Sequence, residues 1–192
     1  MKRIAIFASG SGSDMQSVLD AINEGKINGK VVYVVSNKNG IYALDRAKAE
    51  GIECGVYRVA DFGDKESRDR AICDTLKSKN IELVVLAGYL GILTEAIVSE
   101  YKGKIINIHP SLIPKYCGDG FYGMKVHEAV IKAGEKESGC TVHFVDEGTD
   151  TGAIIKQVKV PVLEGDKPES LQQRILIEEH KLLPEVVASL CK

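Results

Sequence analysis

The residues best suited to chemistry lie between positions 107 and 115, where the chain reads Asn-Ile-His-Pro-Ser-Leu-Ile-Pro-Lys. This stretch follows an apolar, strand-like run. Residues two apart in a strand point to the same side, so we expect Asn107 and His109 to project together, and Pro110 to end the strand pairing. An amide that polarises a carbonyl oxygen beside an imidazole that handles a proton suits acyl transfer. The alternative is a strand end with two chance polar residues.

A glycine-bounded acidic loop, residues 146–152, offers a partner for this pair. The strand-like stretch before it places Thr141 and His143 on one face. A carboxylate held in such a loop, Asp150, could orient His109 or stabilise its positive charge. The alternative is an exposed acidic turn, and His143 taken alone is more typical of a structural histidine.

A second motif, Ser-Gly-Ser-Gly-Ser at residues 9–13, joins the first predicted strand to the first predicted helix. Backbone N–H groups at a helix N-terminus, approached closely through glycines, form an anion site. The dinucleotide fingerprint would need glycine where Met15 stands and an acid where Asn37 stands, and no Gly-Lys-Ser/Thr of a P-loop follows. The motif therefore predicts a phosphate site without a dinucleotide; a tight turn with serine caps is the alternative.

The other possible nucleophiles and histidines give weaker evidence of a functional role. There is no Gly-x-Ser-x-Gly elbow, and Cys117 is a loop cysteine of a common kind. His127 and His180 fall in helical patterns, where we expect surface or helix-cap roles.

Composition excludes several classes of protein. The chain has 192 residues, 25 basic and 27 acidic, for a net charge of −2. No basic block indicates nucleic-acid binding, and no apolar run approaches the roughly 18 residues of a membrane span. The N-terminal apolar run is too short for a signal peptide. Five cysteines without paired spacing favour neither a zinc site nor disulfides, so we expect no metal and a reducing, cytoplasmic location.

Strand-like and helix-like patterns alternate along the chain. Predicted strands cover 3–8, 31–36, 55–59, 81–87, 104–109, 140–146 and 153–160. Predicted helices cover 13–24, 41–50, 65–79, 124–134 and 168–190. Ser13 and Gln16 form a capping-box pattern, Gly51 should end the second helix, and 110–122 is a Pro/Gly-rich loop.

This order predicts an α/β fold, a Rossmann-like, mainly parallel twisted sheet with helices on both faces. The last two strands should be antiparallel additions in the C-terminal half. No linker or repeat divides the chain, so we expect a single domain over 1–192. Its halves would be a mononucleotide-binding half (1–100) and a catalytic half (101–192).

Taken together, these motifs resemble one family. The serine–glycine loop, Val-Leu-Ala-Gly-Tyr at 85–89, Ile-Asn-Ile-His-Pro-Ser-Leu-Ile-Pro-Lys-Tyr at 106–116 and Thr-Val-His-Phe-Val at 141–145 leading to Asp150 occur in one order. The chain is similar over essentially its whole length to the phosphoribosylglycinamide formyltransferases, the folate-dependent glycinamide ribonucleotide transformylases of purine synthesis.

The resemblance implies a role for each matching residue. Asn107, His109 and Asp150 would be catalytic, and Thr141 and His143 would support them. The ribonucleotide would be held by Gly12, Ser13, Asp14 and Lys115 at its phosphate and by Glu179 at its ribose. The folate would be bound by Leu86, Tyr89, Leu90, Gly91, Ile92, Leu93, Val98, Asn107, Val145, Asp146 and Asp150.

The resemblance also implies 10-formyltetrahydrofolate as co-substrate, no metal, small-molecule partners only, and a monomer or homodimer. Two positions depart from the family: Asp14 stands where asparagine is usual beside the phosphate, and Gly91 where arginine is common. An acid beside a phosphate should repel it, unless its backbone N–H does the binding. The segment 117–124 also looks longer than in many relatives.

Three other readings compete. Formyltetrahydrofolate hydrolases usually carry an additional N-terminal regulatory domain, whereas this sequence opens on its first predicted strand. Methionyl-tRNA formyltransferases need a basic RNA-binding domain. A binding module without activity would not need Asn107, His109 and Asp150 together. We therefore expect formyl transfer to the amine of glycinamide ribonucleotide.

Overall fold

Strands and helices alternate throughout the computed structural model, which describes residues 1–192. The strands are β1 (Lys2–Ala8), β2 (Gly29–Ser36), β3 (Glu53–Val56), β4 (Leu83–Leu86), β5 (Ile105–His109), β6 (Glu137–Phe144) and β7 (Ile154–Pro161). The helices are α1 (Ser13–Asn23), α2 (Tyr42–Ala49), α3 (Val59–Phe62), α4 (Lys65–Ser78), α5 (Glu95–Glu100), α6 (Met124–Lys132) and α7 (Pro168–Leu190). None of these helices is both long and apolar enough to cross a membrane.

All seven strands belong to one sheet, in the order β3-β2-β1-β4-β5-β6-β7. Strands β1 to β5 are parallel, and β6 and β7 are added antiparallel. The predicted Rossmann-like fold, with antiparallel strands in its C-terminal half, is confirmed. Because β4 pairs directly with β5, the sheet runs unbroken across the boundary predicted near residue 100.

Two hydrophobic cores lie on opposite faces of this sheet, because successive residues of a strand point to opposite sides. In β1, Ile4 and Ile6 belong to the larger core, which also holds residues of α1, α2 and α7. Ala5 and Phe7 belong to the smaller core, with residues of α4 and α5. Strand β1 is therefore covered on both sides, which explains its unbroken apolar sequence.

The strand order fixes where a ligand can bind. From β1 the chain builds outward to β2 and β3 on one side, and then returns to add β4 and β5 on the other. Such a reversal leaves a crevice outside the carboxyl ends of the central strands. The loop after β1, the loop after β4 and the end of β5 all lie at this edge.

The start of α1 differs from the sequence-based prediction. Gly12, not Ser13, is the N-cap residue; its φ is +74°, and no side chain caps the helix. The Ser13–Gln16 capping box is therefore wrong. A Cβ atom at Gly12 would lie 2.7 Å from the Cβ of Ala43, so glycine is required both by the backbone conformation and by the close approach of α2.

Two short helices were not predicted from the sequence. Helices α3 and α5 have four and six residues, too few to show a helical repeat of apolar positions. Strand β3 begins and ends earlier than predicted, at Glu53–Val56. Helix α2 ends just before Gly51, whose φ is +69°, as predicted.

Candidate active site

Buried Ser9 links two of the loops that meet at the carboxyl edge of the sheet. Its hydroxyl donates to Oδ1 of Asn37 at 2.7 Å, and accepts from the backbone N–H of Leu90 at 2.8 Å. The glycine loop after β1 and the loop after β4 are thus held together by one side chain. Sequence reasoning treated Ser9 only as a member of the glycine loop.

The structure brings Asn107, His109 and Asp150 together. The Nδ1 atom of His109 lies 3.6 Å from Oδ2 of Asp150, and Nδ2 of Asn107 lies 3.5 Å from Oδ1 of the same carboxylate. Both β5 residues point to one side of the strand, as their spacing predicted. An amide, an imidazole and a carboxylate from distant parts of the chain therefore share one pocket.

The hydrogen bonds of His109 define its tautomer. Its Nε2 atom lies 2.9 Å from the carbonyl oxygen of Tyr116, which can only accept, so Nε2 carries the hydrogen. Burial lowers the pKa of His109 below its ordinary value of 6.5, although the Tyr116 carbonyl and Asp150 act in the opposite direction. Burial therefore outweighs the carboxylate, and the neutral imidazole is favoured in the free protein at neutral pH.

His143 supports the amide of Asn107. Its Nδ1 atom lies 2.8 Å from the Phe144 carbonyl oxygen, which makes Nδ1 the donor and leaves Nε2 to accept. Nε2 receives one N–H of Asn107 at 3.1 Å. The second N–H has only the long contact to Asp150, so it is the donor available to a ligand.

Asp150 is held by its backbone and by its neighbours. Its φ is +58°, a conformation that aspartate and asparagine tolerate better than most residues. The N–H of Gly118 donates to its Oδ2 atom at 3.0 Å. Burial would raise the pKa of Asp150, but His143 and His109, which favour the carboxylate whenever either ring is protonated, and the Gly118 N–H lower it below its usual value. The carboxylate is therefore ionised at neutral pH.

Thr141 anchors the loop that follows β5. Its hydroxyl donates to the carbonyl of Ser111 at 2.7 Å and accepts from Nε2 of Gln157 at 2.9 Å. Gln157 also donates to the carbonyl of Ile113 at 2.9 Å. Gln157, which is the polar residue opposite Thr141 in the β6–β7 register, was not identified from the sequence.

A cleft of about 450 Å³ opens beside these residues. Ten of the residues predicted to bind folate line it: Leu86, Tyr89, Leu90, Gly91, Ile92, Leu93, Asn107, Val145, Asp146 and Asp150. Val98 does not line it; it packs in the smaller core. The sequence reading missed Phe121 and Tyr122, which line the cleft from the glycine-rich segment 118–123.

The predicted phosphate site contains two acids, of which Glu179 is buried and Asp14 is partly buried. Gly12, Ser13 and Asp14 lie at the start of α1, and Glu179 lies on α7, which packs against α1. Burial raises the pKa of Asp14 to about 6, and burial together with the charge of Asp14 raises that of Glu179. The Oδ1 atom of Asp14 has no hydrogen-bond partner and lies 3.6 Å from Nε2 of His180.

The cation predicted for this site is engaged elsewhere. The Nζ atom of Lys115 pairs with Glu135 at 2.9 Å and is 65% exposed. Its role toward the phosphate stays a prediction. Arg46, which sequence reasoning missed, lies beside the glycine loop instead: its Nε donates to the carbonyl of Ser11 at 3.0 Å, and it also contacts Gln16.

His127 differs from its predicted surface position. It is 2% exposed, its Nδ1 atom has no partner, and burial lowers its pKa to about 4. It is therefore a neutral, interior residue of α6. No group of three or more His, Cys, Asp or Glu side chains is arranged to hold a metal ion.

Comparisons with known proteins agree with this geometry. A family model described as formyl transferase matches residues 2–187. A phosphoribosylglycinamide formyltransferase of Haemophilus influenzae is 42% identical over 187 residues, which cover 97% of this chain and 86% of that protein. The crystal structure of glycinamide ribonucleotide transformylase 1 from Geobacillus kaustophilus superposes with a TM-score of 0.94 at 38% identity, covering 100% of both chains.

Some relatives are much longer. The trifunctional purine biosynthetic protein adenosine-3 of Drosophila melanogaster is 45% identical over 191 residues, and the match covers 98% of this chain. The chain spans only 14% of the length of that protein. The similarity is thus to one segment of a larger polypeptide in this case, and to most or all of the protein in the other two.

Proposed function

The chain belongs to the formyl transferase family, and from that premise we propose that it transfers the formyl group of 10-formyltetrahydrofolate to the amine of glycinamide ribonucleotide, a step of purine biosynthesis. The convergence of Asn107, His109 and Asp150 on one cleft is the observation that carries this proposal. The five free cysteines suit a reducing compartment such as the cytoplasm.

The cleft suits the folate. Exposed apolar side chains of Leu90, Ile92 and Tyr122 line an open slot beside the polar residues. Such a slot, with a few convergent polar groups, fits a flat heteroaromatic ligand. The formyl carbon would lie against Asn107 and His109, with the pterin ring along residues 86–93.

The ribonucleotide would approach from the glycine loop. Backbone N–H groups at the start of α1 favour a phosphate, and Arg46 lies beside them. Anchoring at a phosphate remote from the reacting amine supplies positioning. We assign Glu179 to the ribose hydroxyls, because a carboxyl group accepts from hydroxyls in either charge state.

In the reaction, the amine attacks the formyl carbon, and a C–N bond forms as the carbonyl oxygen gains charge. The free N–H of Asn107 donates to that oxygen. Nδ1 of neutral His109 accepts the proton released by the amine, and ionised Asp150 stabilises the imidazolium so formed. The proton then passes to the folate nitrogen as its bond to the formyl carbon breaks.

One assay tests the proposal. The protein is supplied with 10-formyltetrahydrofolate, with and without glycinamide ribonucleotide, and the release of tetrahydrofolate is followed. We expect release only when the nucleotide is present, with formylated nucleotide in equal amount. Equal release without the nucleotide would instead indicate hydrolysis, and no release in either case would indicate binding alone; both results contradict the proposal.

A further inference from the structure

A fully buried ion pair lies beneath one wall of the cleft. Arg68 and Asp69, neighbours on α4, are 2% and 0% exposed at their side chains. Nε of Arg68 donates to Oδ1 of Asp69 at 2.7 Å. Removing two charges from water is unfavourable unless further hydrogen bonds satisfy their remaining donors and acceptors. The partners of this pair therefore indicate what it holds.

Those partners are backbone groups of the loop after β4. Nη2 of Arg68 donates to the carbonyl of Ile92 at 2.8 Å. Oδ2 of Asp69 accepts from the backbone N–H of Thr94 at 2.6 Å. The pair therefore binds the backbone at two positions, Ile92 and Thr94. Arg68 donates at the first position, and Asp69 accepts at the second.

Apart from the Ser9–Leu90 hydrogen bond and the packing of Leu93 against the smaller core, few contacts hold residues 90–94. Residues 87–94 form neither helix nor strand. Among the backbone groups of Gly91, Ile92 and Leu93, the one hydrogen bond is that from Arg68. Leu90 and Ile92 project into the cleft, 48% and 55% exposed, so they gain little from core packing.

The same segment folds tightly over a buried ring. A Cβ atom at Gly91 would lie 2.6 Å from the ring of Tyr89, and Tyr89 packs edge-on against Phe7 at 5.3 Å between ring centroids. Tyr89 therefore limits how closely the segment can approach the core, and the ion pair fixes the position of its backbone at Ile92 and Thr94.

We propose that Arg68 and Asp69 are positioning residues that fix the 90–94 wall of the cleft and thereby determine the affinity for the folate co-substrate. They touch no substrate themselves; they act through Ile92 and Thr94. The expected effect on folate affinity rests on the proposed function, whereas the expected effect on the position of residues 90–94 does not.

The test compares Arg68→Met with Arg70→Met. Arg70 lies on the same helix, but its ion pair with Glu66 is exposed, so its loss leaves the loop untouched. For Arg68→Met we expect the KM for 10-formyltetrahydrofolate to rise about tenfold, with the KM for the ribonucleotide and kcat within about twofold of wild type. Arg68→Lys keeps the charge but loses the planar arrangement of several N–H donors. Its KM for 10-formyltetrahydrofolate should lie between those of wild type and Arg68→Met.

A second measurement separates this inference from the proposed function. Hydrogen exchange at the amide of Thr94 should be faster in Arg68→Met and Arg68→Lys than in wild type or Arg70→Met. If wild type transfers no formyl group, the proposed function fails while exchange still tests the positioning. Wild-type exchange and wild-type folate KM in Arg68→Met would overturn the inference, as would equal rises in KM for both substrates. If Arg68→Met does not fold, the same criteria apply to Arg68→Lys.

Discussion

Nδ1 of His109 faces the carboxylate of Asp150 at 3.6 Å, and in the neutral imidazole this nitrogen carries a lone pair. Two acceptors therefore point at each other, an arrangement that becomes favourable once a proton arrives between them. The backbone of Asp150 stands at φ +58° to keep the carboxylate there, which is a common sign of a functional position. In the proposed mechanism, the pair would take up a proton during the reaction rather than hold one beforehand.

Asp150→Asn should abolish most turnover. The amide has nearly the same shape and also tolerates a positive φ, so the fold should be retained, but it cannot stabilise an imidazolium at His109. We expect kcat to fall by about 10²–10⁴-fold, with ribonucleotide affinity by calorimetry changed only slightly. Asp74→Asn, an exposed change on α4, is the matched control. Turnover near wild type in Asp150→Asn would remove this residue from the mechanism.

Asn107→Ala should lower kcat without a comparable change in either KM. The variant loses the N–H that is available to the developing negative oxygen, and loss of one such donor lowers kcat by about 10²–10³-fold. It also leaves Nε2 of His143 without its donor at 3.1 Å. Steady-state kinetics with each substrate varied in turn will check this; a rise in KM at constant kcat would show that Asn107 only binds the substrate.

The elements that carry strong local patterns could be predicted from sequence. The two-residue period at Asn107 and His109 placed both side chains in one pocket, and the alternation of apolar strands and amphipathic helices gave the correct sheet. Helices α3 and α5 could not be found, because one or two turns show no period. Gly12 was taken as part of a ligand loop, whereas its contact with Ala43 is set by tertiary packing.

Properties that depend on burial could not be predicted. The charge state of His109 follows from its enclosure, not from its neighbours in sequence. His127 sits in an ordinary helical pattern, yet it is inside the protein. Long-range partners were also invisible, such as Glu135 for Lys115 and the loop carbonyl of Ile92 for Arg68, because nothing local fixes which distant groups meet.

The fall of kcat/KM at acidic pH should follow the protonation of His109. Its pKa in the free protein lies below 6.5, and its neutral form is the one that accepts a proton. Besides the ionisation of the substrate amine near pH 8, we therefore expect kcat/KM to show a second fall toward acid, with a midpoint below 6.5. NMR titration of the His109 ring should give the same midpoint. A His109 midpoint at or above 6.5 in the NMR titration would contradict the burial argument.

The same shift affects stability in a definite direction. Because the native state binds a proton on His109 less readily than the unfolded chain does, lowering the pH through 6.5 reduces the contribution of His109 to the free energy of unfolding. Chemical denaturation between pH 7 and pH 5 will measure this loss, and His109→Gln should show a smaller one.

Asp14→Asn should stabilise the protein at neutral pH and improve ribonucleotide binding. The pKa of Asp14 is about 6 in the folded protein against its ordinary 3.8, so the native state takes up a proton as the pH falls through 6, and the contribution of Asp14 to the free energy of unfolding rises toward acid. Asparagine removes the buried charge at every pH. We expect Tm at pH 7 to rise by a few degrees, on the order of 1 kcal/mol, the gain to shrink at pH 5, and the KM for the ribonucleotide to fall. Asp20→Asn, exposed on the same helix, is the control; an equal gain at both pH values would show that the charge of Asp14 is not its cause.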